Sequence, residues 1–100
     1  MKSREFQKLI KLFKLDAWDI KLSECKERPT WVGLDASAQV NFDSARRTCI
    51  IWSPVGKKQR AGIIHELLHI VFADAFMDDI PDNNEHRVIC LLEDILAKYL

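Results

Sequence analysis

The chain has 100 residues, 48% of them hydrophobic, with three Gly and three Pro, and its 15 Lys plus Arg balance 15 Asp plus Glu. A chain of this length is enough for one domain, residues 1–100, with its own core, and the composition excludes a disordered chain. No apolar run approaches the ~18 residues of a membrane-spanning helix, and the even charge argues against a nucleic-acid groove.

The charge is unevenly spread. Residues 1–60 carry thirteen Lys or Arg against seven Asp or Glu, whereas residues 61–100 carry two against eight. The acidic part also holds all three histidines, which suits a bound dication. The start, Met1-Lys2-Ser3-Arg4-Glu5, lacks the apolar core of a signal peptide, and Cys25, Cys49 and Cys90 are widely spaced. Together these features lead to the expectation of a reducing cytoplasm, with the thiols buried among apolar neighbours and metal ligation the alternative for one of them.

Phe6, Leu9, Ile10 and Phe13 recur at helical spacing while Lys2, Lys8, Lys11 and Lys14 turn mostly away, so the first element is an amphipathic helix. Ser3 is its expected N-cap, and it ends near Leu15. A basic amphipathic helix can also contact a membrane or nucleic acid. In so small a domain its apolar stripe is needed for the core, so neither partner is expected. Trp18, Ile20 and Leu22 then alternate with Asp19, Lys21 and Ser23, the period of a half-buried strand. Glu24 to Pro29 reads as a loop, and Thr30 to Asp35 as either a short strand or a turn.

Ala38, Val40 and Phe42 alternate with Gln39, Asn41 and Asp43, giving a second strand with one wet face. Asp43-Ser44-Ala45-Arg46 supplies turn chemistry. The third strand, residues 47–53, is apolar on both faces, which suits a central strand with both faces covered. The expectation is a three-stranded antiparallel sheet in an α+β domain. Residues 36–43 form its edge, residues 47–53 its centre and the first strand its far side, with helices against one face.

Ser53-Pro54-Val55-Gly56 breaks the sheet. A largely buried helix follows, starting between Pro54 and Arg60 and ending near Phe76. It contains His65-Glu66-Leu67-Leu68-His69. Residues four apart share a helix face, so His65 and His69 can bring two imidazoles to one metal ion. Glu66 lies about 100° round the helix, where a carboxylate could take a proton from metal-bound water. The competing reading is a pair of polar histidines on a partly buried helix.

A catalytic zinc commonly takes three protein ligands and leaves a fourth position open. The extended pattern with a third histidine would need Gly at Phe72 and His at Ala75, which the sequence excludes. Met77 to Asn84 reads as a loop and Glu85 to Leu100 as a last amphipathic helix, with Val88, Ile89, Leu92, Ile95, Leu96 and Tyr99 on its apolar stripe. Glu85 heads that stripe, and an inward carboxylate there suits a third ligand. The alternative is a capping box, Asp82-Asn83-Asn84-Glu85. His86 is a second candidate for third ligand, an auxiliary catalytic donor or a surface residue. Glu93 and Asp94 read as a solvated face, and Asp74 as badly placed to ligate.

These residues carry a resemblance. His65-Glu66-Leu67-Leu68-His69 followed by Glu85-His86-Arg87-Val88-Ile89 is similar to the minimal gluzincin-type HExxH metallopeptidase domains encoded by bacteriophages and prophages. The similarity extends to Trp18-Asp19-Ile20, the Ala38-to-Asp43 strand and the Arg46-to-Ile50 return strand. More distantly, the chain resembles the ImmA/IrrE and SprT-like metallopeptidases. The resemblance implies zinc ligands His65, His69 and Glu85, with Glu66 as general base, and a peptide or protein substrate docking along the edge strand near residues 36–43. It implies hydrolysis of a peptide bond by Glu-assisted attack of zinc-bound water, in a host cytoplasm if the chain is phage-encoded. The departures are a short spacing between His69 and Glu85 and no second subdomain to bear an oxyanion-stabilising residue, for which His86 and Tyr99 are the candidates. The alternative function is a non-catalytic, zinc-stabilised protein-binding module.

Overall fold

The computed structural model describes residues 1–76 and 82–99, and within those the side chains other than at residues 75, 76, 82–84, 94 and 99. Six elements follow in order: α1 (Ser3–Leu12), β1 (Asp19–Ser23), β2 (Gln39–Asp43), β3 (Thr48–Trp52), α2 (Gln59–Phe76) and α3 (Asp82–Tyr99). The result is a compact α+β fold with three helices and a small open sheet.

α1 buries Phe6, Leu9 and Ile10, the expected stripe. Its start and end differ from expectation. Ser3 is already helical, Lys2 stands at the N-cap without a side-chain cap bond, and the helix stops at Leu12. Lys14 adopts φ 56°, and the Leu15 amide reaches back to the Ile10 carbonyl at 3.0 Å. That left-handed residue terminates the helix by satisfying a last-turn carbonyl and turns Leu15 into the core.

The sheet order is β1-β3-β2, so β3 is central and β2 is an edge, as its wet face suggested. β2 and β3 form the expected antiparallel hairpin, with Val40 opposite Ile51. Asp43 Oδ1 accepts from the Ala45 and Arg46 amides in the turn, and Arg47 takes φ 52° to enter β3. β1, however, pairs with β3 in parallel, Ile20 opposite Cys49, so the sheet is mixed and not purely antiparallel. Residues 24–38 carry the chain from β1 past β3 to the opposite edge. A hairpin leaves a local turn signature, whereas a parallel partner met after a long connection leaves none.

Residues 30–35 resolve as turns. Gln39 pins them to β2, accepting from the Gly33 amide and donating to the Trp31 carbonyl. The helices cover one sheet face. Cys49 and Ile51 point into the core while Ile50 is 42% exposed, so β3 does not have both faces covered. One hydrophobic cluster joins α1, the sheet, α2 and Ile89 of α3.

α2 supplies Ile63, Ile64, Leu67 and Ile70, all fully buried, and packs on both β2 and α3. Arg60 ties its first turn to the other helices: its Nε donates to Glu5 and its Nη1 to the Ala97 carbonyl at 2.7 Å, capping a last-turn carbonyl of α3. α3 begins at Asp82, one turn before the expected Glu85. Of the loop expected over Met77 to Asn84, residues 82–84 are helical and residues 77–81 lie outside the described residues, as does the Asp82 side chain of the expected capping box. The packed stripe of α3 is narrower than expected: Ile89 is fully buried, but Val88 and Ile95 are exposed. No described helix is long and apolar enough to cross a membrane.

Candidate metal centre

His65 and His69 leave α2 one turn apart and converge on the cleft between α2, α3 and β2. Their Nε2 atoms face each other at 3.2 Å, with ring centroids 4.9 Å apart. α3 brings carboxylates to the far side of each ring. His69 Nδ1 donates to Glu85 Oε1 at 3.0 Å, and His65 Nδ1 to Glu93 Oε2 at 2.5 Å. Glu85, Ile89 and Glu93 are four apart along one ridge, so the buried Ile89 docks the helix and the two acids flank it.

These contacts set the ring tautomers. With a carboxylate accepting at each Nδ1, both rings carry their proton there and direct Nε2 lone pairs at one another. Such an arrangement is repulsive unless a cation or a shared proton lies between them. Burial lowers the His69 pKa, with the Glu85 hydrogen bond opposing it and the neighbouring His65 adding to it. His65 and His69 thus form a pair of nitrogen donors that could hold a metal ion.

The donor set fits zinc. Imidazole nitrogens at about 2.0–2.1 Å from a tetrahedral zinc stand about 3.3 Å from each other, close to the separation of the Nε2 pair. The ring of His86 stands 5.1 Å from that of His65 and 6.0 Å from that of His69. One ligand atom from each of His65, His69 and His86 lies within 4.8 Å of the others. A second such group, His65, Cys90 and Glu93, shares His65.

Glu66 is 5% exposed and borders the same cleft. Burial pushes its pKa up to about 7. The neighbouring His65 and a hydrogen bond donated by the Val40 amide pull it down, and Glu93 pushes it up. In the metal-free protein the group therefore exchanges a proton near neutrality. The cleft has a volume of about 640 Å³ and is bounded on one side by Ala38, Gln39, Val40 and Phe42 of the edge strand and its approach.

The expected residues His65, Glu66, His69, Glu85 and His86 thus meet in one place, although Glu85 touches His69 from behind and not from the Nε2 side. Glu93 is a correction: expected on a solvated face, it is the partner of His65. Its signal was available in the spacing of His86, Cys90 and Glu93, which places a metal-binding residue type at i, i+4 and i+7 beside the apolar stripe. The cysteines also depart from expectation, since Cys49 is buried but Cys25 and Cys90 are exposed. Asp74 lies away from the cleft, 4.0 Å from Arg47. The side chains of Asp94 and Tyr99 lie outside the described residues.

Comparison with protein-family models, with curated proteins and with solved structures gives no match for this chain.

Proposed function

We propose that the protein is a zinc-dependent peptidase, with His65, His69 and a third residue from α3 holding the metal. The observation that carries this reading is the placement of a buried carboxylate, Glu66, beside the converged Nε2 pair in a cleft open to an unpaired sheet edge. The resemblance of the sequence to gluzincin-type domains supports it. A bound zinc contributes Lewis-acid polarisation of a carbonyl and acidification of water. Glu66 then accepts a proton from water and returns it to the leaving amine. Among the described residues β2 pairs with β3 on one side only, so an extended peptide substrate adds along its other side by main-chain hydrogen bonds.

The test is Glu66→Gln, which keeps the volume and hydrogen-bonding capacity of the side chain but removes the base. Zinc content should be unchanged and cleavage of a degenerate peptide library should fall by about 10²–10⁴-fold. Equal cleavage by the variant would refute the mechanism.

One observation favours a second reading, a non-catalytic zinc-stabilised binding module. Cys90 Sγ lies 3.5 Å from His86 Nε2, so a thiol stands near enough to close the fourth coordination position. In that case chelation unfolds the protein and no library peptide is cut.

A further inference from the structure

Three α3 residues compete to complete the metal site, Glu85, His86 and Glu93, and all three line the cleft. The distances sort them. The carboxylates of Glu85 and Glu93 lie 3.0 Å and 2.5 Å from Nδ1 of His69 and His65. Both are hydrogen-bond lengths, and both are on the ring atoms turned away from the facing Nε2 pair. A carboxylate in that position holds the Nδ1 proton, fixes the ring orientation and makes Nε2 more basic. It cannot also ligate the metal that Nε2 binds without giving up that bond.

His86 is differently placed. Among the described residues it is the one on α3 with a ligand atom grouped with those of both His65 and His69 within 4.8 Å. The other group, His65 with Cys90 and Glu93, would require Glu93 to give up its bond to His65 Nδ1. Glu93 and the His65 nitrogen at 2.5 Å are too close to be two ligands of one tetrahedral zinc, which stand about 3.3 Å apart.

We propose that His86 is the third zinc ligand and that Glu85 and Glu93 are positioning residues, one behind each histidine of α2. This assignment rests on the metal reading above and deepens it. It also balances charge: three neutral imidazoles leave a dication uncompensated, and the two carboxylates supply two negative charges one bond network away. A zinc held by two histidines and Glu85 would instead strip His69 of its partner and leave His86 without a role in the cleft.

The experiment measures zinc stoichiometry by metal analysis and zinc affinity by competition with a chromogenic chelator, on the full chain, together with the absorption spectrum of the cobalt-substituted protein. His86 is exposed, so His86→Ala should fold normally. It should weaken zinc by more than about 100-fold and change the cobalt spectrum. Glu85→Gln and Glu93→Gln keep a hydrogen-bond acceptor on each ring, and each should cost about 10–100-fold in affinity with the parent's cobalt spectrum retained.

The assignment is overturned if Glu85→Gln abolishes binding while His86→Ala retains it, a result that leaves the metal reading intact. It is also overturned if His86→Ala keeps the parent's zinc affinity while cobalt shows thiolate charge transfer that disappears in Cys90→Ser. A parent protein that takes up no zinc refutes the metal reading itself, and this assignment with it.

Discussion

A Cβ added to Gly62 would stand 3.2 Å from the Cβ of Ala38 and 3.2 Å from Ser53 Oγ. The first turn of α2 therefore lies close against the approach to the edge strand, and that contact sets one wall of the cleft. Gly62→Val should overpack this contact and destabilise the fold by about 1–3 kcal/mol, read as a lower urea midpoint. A variant as stable as the parent would show that the helix and strand have room to separate.

The face by which α3 docks can be tested with two adjacent residues. Ile89 is fully buried and Val88 is 41% exposed. Ile89→Ala should cost about 2–5 kcal/mol through lost burial and the cavity left behind. Val88→Ala should stay within about 0.5 kcal/mol of the parent. Equal losses would mean that the helix is rotated from the orientation that aims Glu85 and Glu93 at the histidines.

The raised pKa of Glu66 gives the metal-free protein a signature in its stability. Burial holds the group at about 7 against an ordinary 4.5, so the folded state keeps a proton that the unfolded chain releases between those values. The stability this group contributes is therefore greatest at low pH, falls as pH rises through that window, and is lost above the folded pKa. Glu66→Gln removes the effect while leaving His69 in both proteins. The variant should gain on the parent in urea midpoint between about pH 5 and about pH 8, both freed of metal. A gap independent of pH would show that the carboxyl is already ionised throughout.

Thiol chemistry separates the three cysteines. Burial, with a smaller contribution from Asp19, pushes the Cys49 pKa up to about 12, whereas Cys25 and Cys90 are exposed. Since the thiolate is the reactive form, alkylation of the native protein at about pH 8 should label Cys25 and Cys90, and Cys49 only after denaturation. Mass spectrometry reads the outcome directly. Rapid labelling of Cys49 in the native state would mean that the sheet face under the helices opens.

What the sequence determined by itself was local and periodic. The apolar spacing of α1, the alternation of β2 with its wet face, the buried helix with His65 and His69 one turn apart, and the turn at Asp43 are each written within a few consecutive residues. Backbone geometry alone converts such spacing into faces. Tertiary structure decided the pairings between distant segments. It set the parallel direction of β1, for which no local turn exists. It put Glu93 behind His65 across 28 positions and Glu85 behind His69 across 16. It also decided which flank of α3 meets the core, leaving Val88 and Ile95 outside. Helical periodicity tells which residues share a stripe, but the angle at which one helix settles against another depends on packing, here of Ile89 against α2, and that angle decides what each carboxylate touches.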